Sequence, residues 1–311
     1  MNAIKVKTEI VQYEHTEISE MLNRFVQYVE VSPLSVRSYI SGIKAFIRYL
    51  SENGISKPTR ETVIAYKKEL VRYKSASTVA LYLSSLRRFF SWCASENLYG
   101  DITLGVKSPR VDNSHKKDAF SAQQIKQIIS GINRNSLQGA RDYAIFCLTV
   151  ATGLRTCEII RADISDIRTV QGETCLFVMG KGRTSKSDFV KLSAHVLQAI
   201  RTYLEMRGAV EDDSPLFASL SRRNFGGRMS TRSISRICKN AMIKAGFNSR
   251  RLTAHSLRHT SITLALLAGM SLREVSQFAR HSSINVTLIY AHDLERLSSK
   301  CESAVSNAIF G

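Results

Sequence analysis

The chain has 311 residues, with 44 Lys plus Arg against 26 Asp plus Glu, a net charge of +18, and 44% hydrophobic residues. That length and apolar content give core for one large or two ordinary domains. No apolar run of about eighteen residues is present to cross a membrane and MNAIKVKTEI has no signal-peptide pattern, so a cytoplasmic, nucleoid-associated protein without a membrane partner is expected.

The positive excess points to a polyanion, with nucleic acid ahead of a membrane surface because no basic amphipathic anchor stands out. Cysteines 93, 147, 157, 175, 238 and 301 are scattered without a C-x-x-C pair, and read as reduced core residues rather than disulfides or metal ligands.

The N-terminal third reads as helix. Glu17 to Glu30 carries Ile18, Met21, Leu22, Phe25 and Val29 on one side, and Ser32-Pro33 interrupts. Ser35 to Glu52 keeps Val36, Tyr39, Ile40, Ile43, Phe46, Ile47 and Leu50 at helical period, with Arg37, Lys44 and Arg48 opposite. Arg60 to Tyr73 follows. Ser77 to Glu96 places Val79, Leu83, Leu86, Phe90 and Cys93 inward and Arg87, Arg88 and Trp92 nearer its edges. Four such helices make a compact bundle. Its basic faces suit duplex backbone contact, or are solvated helix faces.

DITLGVKSPRVDNSHKKD, Asp101 to Asp118, gathers Gly, Pro, Ser and charge without apolar period. The expected division is a helical domain over 1–106, a basic linker over 107–118 bearing Lys107, Lys116 and Lys117, and a second domain over 119–311. Residues 1–115 carry 16 basic and 11 acidic side chains and residues 116–311 carry 28 and 15, so the second domain holds most of the excess charge.

That domain opens with Ser121 and Gln124 as a capping box for a helix to about Ile132. Leu137 to Thr152 is apolar enough for deep burial, and Gly153 stops it. Arg155 then starts a fresh turn with Glu158 and Ile159. Arg155 there suits a bidentate phosphate fork, or pairs with Glu158 across one turn. Ile164 to Val170, Thr174 to Met179 and Asp188 to Leu192 read as a three-stranded antiparallel meander. Lys181 lies between two glycines in its second turn, with Arg183, Lys186 and Lys191 close by. Ala194 to Met206 is amphipathic. SLSRRNFGG forms a basic loop with Arg222 and Arg223, and Thr231 to Ala245, bearing Arg232, Arg236, Lys239 and Lys244, suits the major groove.

From Thr253 to His292 the chain concentrates reactive groups. His255 and Arg258 share a face at the start of a helix over Ser256 to Ala268, where free N–H groups favour an anion. Leu257, Ser261, Leu264, Ala265 and Ala268 form its expected buried face, and Gly269 ends it. Ser271 and Glu274 cap a second helix to Arg280, which delivers His281; Tyr290 follows nine residues later.

His-x-x-Arg-His-Thr, Gly-Met after an apolar helix, His-Ser-Ser-Ile and that Tyr resemble box II of the tyrosine recombinase (phage integrase) family. Thr-Gly-Leu-Arg-x-x-Glu-Ile resembles its box I. The resemblance implies a mainly α fold with a small antiparallel β-sheet, in which an N-terminal helical, SAM-like core-binding bundle precedes an α+β catalytic domain. It implies Tyr290 as nucleophile toward a DNA phosphodiester, Arg155, Arg258 and His281 as phosphate ligands, His255 in proton transfer and Lys181 as general acid. The product is a 3′-phosphotyrosyl link that needs no cofactor, metal or ATP, consistent with the lack of a Walker loop or a two-metal carboxylate cluster.

The implied partners are double-stranded recombination sites, a homotetramer passing through a Holliday junction, and an accessory directionality factor. Leu294 to Phe310 either docks on a neighbour in trans or packs on its own chain. Helices beginning close to Met1 leave no room for an arm-binding domain, which favours a simple recombinase integrating or excising a mobile element over a resolvase or Xer-like enzyme. Type IB topoisomerase-like relaxation and catalytically silent DNA binding are the rivals. One position departs from the resemblance: Arg280 stands where the family most often has Gly.

Overall fold

A computed structural model of the chain describes residues 15–111, 118–180 and 182–311. They belong to two compact units, 1–113 and 114–311. The linker lysines Lys116 and Lys117, and Lys181, lie outside the described residues.

The first unit contains helices α1 (His15–Tyr28), α2 (Pro33–Glu52), α3 (Arg60–Tyr73) and α4 (Ala76–Ser95). Ser32-Pro33 lies at the expected interruption between α1 and α2, and also starts α2. Ser32 Oγ accepts from the Ser35 N–H at 3.3 Å, and Pro33 takes the first turn, where its missing N–H leaves no bond unmade. Trp92, expected near an edge of α4, is 2% exposed and packs on Phe25 at 5.6 Å and Phe89 at 5.8 Å. The buried arc of α4 is wider than its aliphatic stripe because α1 covers its flank.

A Cβ on Gly42 of α2 would fall 2.7 Å from Ser85 Oγ and 3.3 Å from the Tyr82 Cα, so the α2 and α4 backbones meet there. The stretch after α4 is strapped down by side chains. Arg87 Nη2 donates to the Val106 carbonyl at 2.7 Å, Arg60 Nε to that of Leu104 at 3.0 Å, and Tyr99 Oη to that of Pro58 at 2.7 Å.

The second unit is built around α6 (Leu137–Thr152), whose Ala144, Ile145, Phe146 and Leu148 are fully buried. Helices α5 (Ala122–Ser130), α7 (Thr156–Arg161), α8 (Ala194–Arg207), α9 (Thr231–Lys244) and α10 (Ala254–Leu267) complete its main core. The expected α5 capping box is present, with Ser121 N donating to Gln124 Oε1 at 2.9 Å.

Strands β1 (Ile167–Val170), β2 (Glu173–Val178) and β3 (Asp188–Lys191) form one antiparallel sheet in that order, with Leu176 opposite both Ile167 and Val190. The first strand begins later than expected because Ile164–Asp166 winds into a 3₁₀ turn, where Asp166 Oδ2 accepts from the Asp163 N–H at 2.7 Å. The Asp163 and Asp166 carboxylates both bind Lys186 Nζ, the former at 2.6 Å, and so hold the residues leading into β3. The fold is thus mainly helical with one small antiparallel sheet.

Helix α10 departs from its expected face. Burial is continuous from Ser256 to Ile262, while Leu264 and Ala265 are half-buried and Ala268 is exposed. The first half runs through the interior, and its polar groups are satisfied there. Ser261 Oγ donates to the Val150 carbonyl at 2.6 Å, and Thr260 Oγ1 accepts from the Phe120 N–H at 2.9 Å.

Helices α11 (Leu272–Ala279), α12 (Asn285–Ser298) and α13 (Cys301–Phe310) follow, and every residue of α13 is exposed. The expectation of six core cysteines holds for Cys93, Cys147, Cys175 and Cys238. Cys157 is half-buried at the start of α7, and Cys301 is exposed like the rest of α13. Among the described residues, no helix is long and apolar enough to cross a membrane.

Replacing Gly42 by Val is expected to cost about 2 kcal/mol through overpacking. Trp92, the single tryptophan, lies in this core, so its fluorescence in urea reads the first unit directly. A midpoint equal to or above that of the wild type would contradict the close helix contact.

Candidate active site

The site begins where α6 ends. Gly153 closes the helix at φ 61, ψ 24, a left-handed conformation that glycine adopts without steric cost, and its carbonyl is left as an acceptor. Two residues later Arg155, in extended conformation, caps α7. Its N–H donates to Glu158 Oε2 at 2.8 Å and its Nη1 to Glu158 Oε1 at 2.9 Å. The two alternatives for Arg155 are therefore combined. It pairs with Glu158, which is fully buried, and still exposes 27% of its side chain.

Helix α10 brings in Arg258, which is 2% exposed. Its Nη1 donates to the Gly153 carbonyl at 2.6 Å and its Nη2 to that of Ala279. Burial holds Arg258 below the usual guanidinium range, at about 10, with Arg155 and Arg280 adding repulsion and Glu158 and Tyr290 opposing it. It keeps its charge at neutral pH.

Helix α11 starts with the expected Ser271–Glu274 capping box and ends at Arg280 in left-handed conformation, φ 53 and ψ 49. Its last carbonyls are where the three guanidiniums converge. Phe278 O accepts from Arg280 Nη1 at 2.7 Å, Ala279 O from Arg258, and Arg280 O from Arg155 Nη2 at 3.4 Å. The negative end of a helix is the natural place to gather positive charge.

The next residue is His281, whose Nδ1 lies 2.8 Å from Oγ1 of the buried Thr287. Tyr290, on α12, is 6% exposed, and its ring meets two imidazoles, His281 at 6.3 Å and His259 at 5.1 Å between centroids. His259 in turn meets the exposed His255 edge-on at 4.8 Å. Burial pushes the Tyr290 phenol up to about 12, against the pull of Arg258 and Arg155. Arg155, Arg183, Asp188, Arg280 and His281 line a cavity of about 490 Å³, whose wall also includes Gly180, the residue before Lys181.

Arg155, Arg258, His281 and Tyr290 thus come together. His255 reaches the neighbourhood of Tyr290 through His259, a residue left without a role in the sequence although it directly follows Arg258. Of the competitors to Lys181, Lys186 is held by two carboxylates, Arg183 is exposed 3.6 Å from Asp188, and Lys191 is exposed 3.5 Å from Glu173. Among the described residues, no group of three or more His, Cys, Asp or Glu side chains is placed to hold a metal ion.

Most of the basic residues expected to meet DNA point to solvent: Arg37, Lys44 and Arg48 on α2, Arg88 on α4, Lys107, Arg222 and Arg223 in loops, and Arg232 and Arg236 on α9. Two point inward. Arg87 is spent on the Val106 carbonyl and Ser108 Oγ, and Lys239 Nζ donates to the carbonyls of Ser249 at 2.7 Å and Leu252 at 3.2 Å. Both close turns in their own unit, because a long side chain reaches past its helix edge to unfilled carbonyls.

Residues 119–296 match the phage integrase family, and residues 22–97 the phage integrase N-terminal SAM-like domain. Tyrosine recombinase XerC of Escherichia coli O157:H7 is 29% identical over 297 residues, which cover 93% of this chain and 96% of XerC. The fold resembles XerH site-specific recombinase bound to palindromic difH substrate in a post-cleavage complex, with a TM-score of 0.72, 21% identity, and coverage of 93% of this chain and 84% of that one. It also resembles a lambda integrase tetramer bound to a Holliday junction, with a TM-score of 0.64, 18% identity, and coverage of 88% and 76%. With more than half its length matched by one family model, the chain belongs to the phage integrase family of tyrosine recombinases.

Proposed function

We propose that this chain, a site-specific tyrosine recombinase, cuts and rejoins double-stranded DNA with Tyr290 as its nucleophile. The observation that carries the reading is the clustering of Arg155, Arg258 and His281 around Tyr290, with Arg155 and His281 lining the cavity beside it. Tyr290 Oη attacks phosphorus, the P–O5′ bond breaks, and a 3′-phosphotyrosyl link and a 5′ hydroxyl result. Arg155 and Arg258 hold the non-bridging oxygens as charge builds on them, and His281 donates a further hydrogen bond. The phenolic proton leaves toward His259 and His255, and Lys181 protonates the departing 5′ oxygen. Attack by a partner strand's 5′ hydroxyl reverses each step, so bond energy is conserved and no cofactor is consumed.

The same reading extends to assembly. Four protomers on two paired sites pass through a Holliday junction, a reading in line with the lambda integrase tetramer bound to such a junction. Helix α13, with Val305, Ile309 and Phe310 exposed, docks on a neighbouring protomer, and an accessory protein sets direction. The exposed arginines and lysines of α2 and α9 supply backbone contacts, which makes binding salt-dependent.

Nicked suicide duplexes drawn from the DNA flanking the gene are expected to give a denaturation-resistant 3′ adduct with wild type and none with Tyr290→Phe. An adduct that survives in the Phe variant would exclude Tyr290.

A second outcome concerns stability. Burial raises Tyr290 from its free value of about 10 to about 12, so the folded state holds a proton that the unfolded chain releases. Its contribution is complete below about pH 10 and is lost as pH rises toward about 12. Circular dichroism melts should show a shallower alkaline loss for Tyr290→Phe than for wild type. An equal loss would mean that the phenol is not held protonated by burial.

A further inference from the structure

Arg280 occupies a backbone conformation that favours glycine, with φ 53, ψ 49. Its side chain is 8% exposed and turned inward. Nη1 donates to the Phe278 carbonyl at 2.7 Å, and Nη2 to Glu158 Oε2 at 3.2 Å and, more distantly, to the Gly153 carbonyl at 3.4 Å. Nε is buried with no hydrogen-bond partner. These acceptors are shared. Glu158 also fixes Arg155 by two bonds, and the Gly153 carbonyl also fixes Arg258. A glycine here would relax the backbone, leave Glu158 to Arg155 alone, and unclip the end of α11 from the turn that carries Arg155.

We propose that Arg280 is a positioning residue for strand cleavage, acting through Glu158 and the Gly153 carbonyl to fix the Arg155 and Arg258 guanidiniums at the phosphate. Its Nη1 and Nη2 donors are taken up by protein acceptors, so although Arg280 borders the cavity its part is to position its neighbours and not to bind the phosphate. The proposal rests on the reading of Tyr290 as nucleophile and deepens it. It also accounts for the one local departure from the family pattern: a side chain that is strained by its backbone is held in place by what it anchors.

The test is single-turnover adduct formation on a nicked duplex at saturating protein, comparing wild type with Arg280→Gly, Arg280→Lys, Glu158→Gln and the Arg280→Gly/Glu158→Gln double variant. Arg280→Gly is expected to slow the rate constant about tenfold, the worth of one charged hydrogen bond. The reacting fraction, the DNA affinity and its salt dependence should stay as in wild type. Lys should recover part of the rate. In the Glu158→Gln background the Gly replacement should change the rate by no more than about twofold, since the two act as a unit. The Gly–Lys comparison stands even if Glu158→Gln fails to fold.

Four outcomes would overturn the proposal: a wild-type rate constant for Arg280→Gly, a smaller reacting fraction at an unchanged rate constant, full multiplicity of the two single effects, or a salt slope reduced by about one charge, which would make Arg280 a phosphate contact. Tyr290→Phe runs alongside. If it is inactive while Arg280→Gly cleaves normally, only the role of Arg280 falls; an adduct that survives Tyr290→Phe sinks both readings.

Discussion

One buried carboxylate and four backbone carbonyls hold three arginines together, and the rest of the catalytic unit is arranged to present them. Guanidiniums at such close quarters repel one another and lose hydration, so each needs fixed acceptors. Glu158 supplies the only full negative charge in this set, and the carbonyls of Gly153, Phe278, Ala279 and Arg280 supply the rest. Each acceptor has a local cause. Gly153 is open because α6 ends there in a left-handed turn, and the three successive carbonyls are open because they close α11. Buried α6 and the buried first half of α10 are the rigid supports on which this frame rests.

Tyr290 is subject to opposing effects. The two nearest guanidiniums draw the Tyr290 phenol toward ionisation, yet burial outweighs them and the proton is held. A phosphodiester entering the cavity would neutralise part of that cationic field, which makes proton removal more dependent on a neighbouring base. The row His255–His259–Tyr290 leads from the exposed start of α10 to the phenol, with His259 in ring contact with it.

What could be read in the sequence were features set by local rules. Gly153, the capping boxes at Ser121 and Ser271, and the spacings that place Arg155, Arg258, His281 and Tyr290 all depend on neighbours a few residues away. Tertiary contact decided the others. Trp92 is buried because α1 covers α4, and the polar run Ser256 to Ser261 is buried because α10 crosses the interior, where partners such as Val150 and Phe120 lie far off in sequence. Arg87 and Lys239 carry the charge expected of DNA contacts, but side-chain direction is not written in periodicity. The departure at Arg280 was visible as a letter; its inward turn toward Glu158 was not.

If this shared frame places charge where a reacting phosphate needs it, altering the fork of Arg258 must slow cleavage. Arg258→Lys tests it most directly, because lysine keeps the charge and loses the fork that joins the Gly153 and Ala279 carbonyls. A single-turnover cleavage rate lower by about 10²- to 10³-fold is expected, with DNA affinity retained. A lysine variant that cleaves at the wild-type rate would show that charge alone suffices, and that the frame does not organise the chemistry.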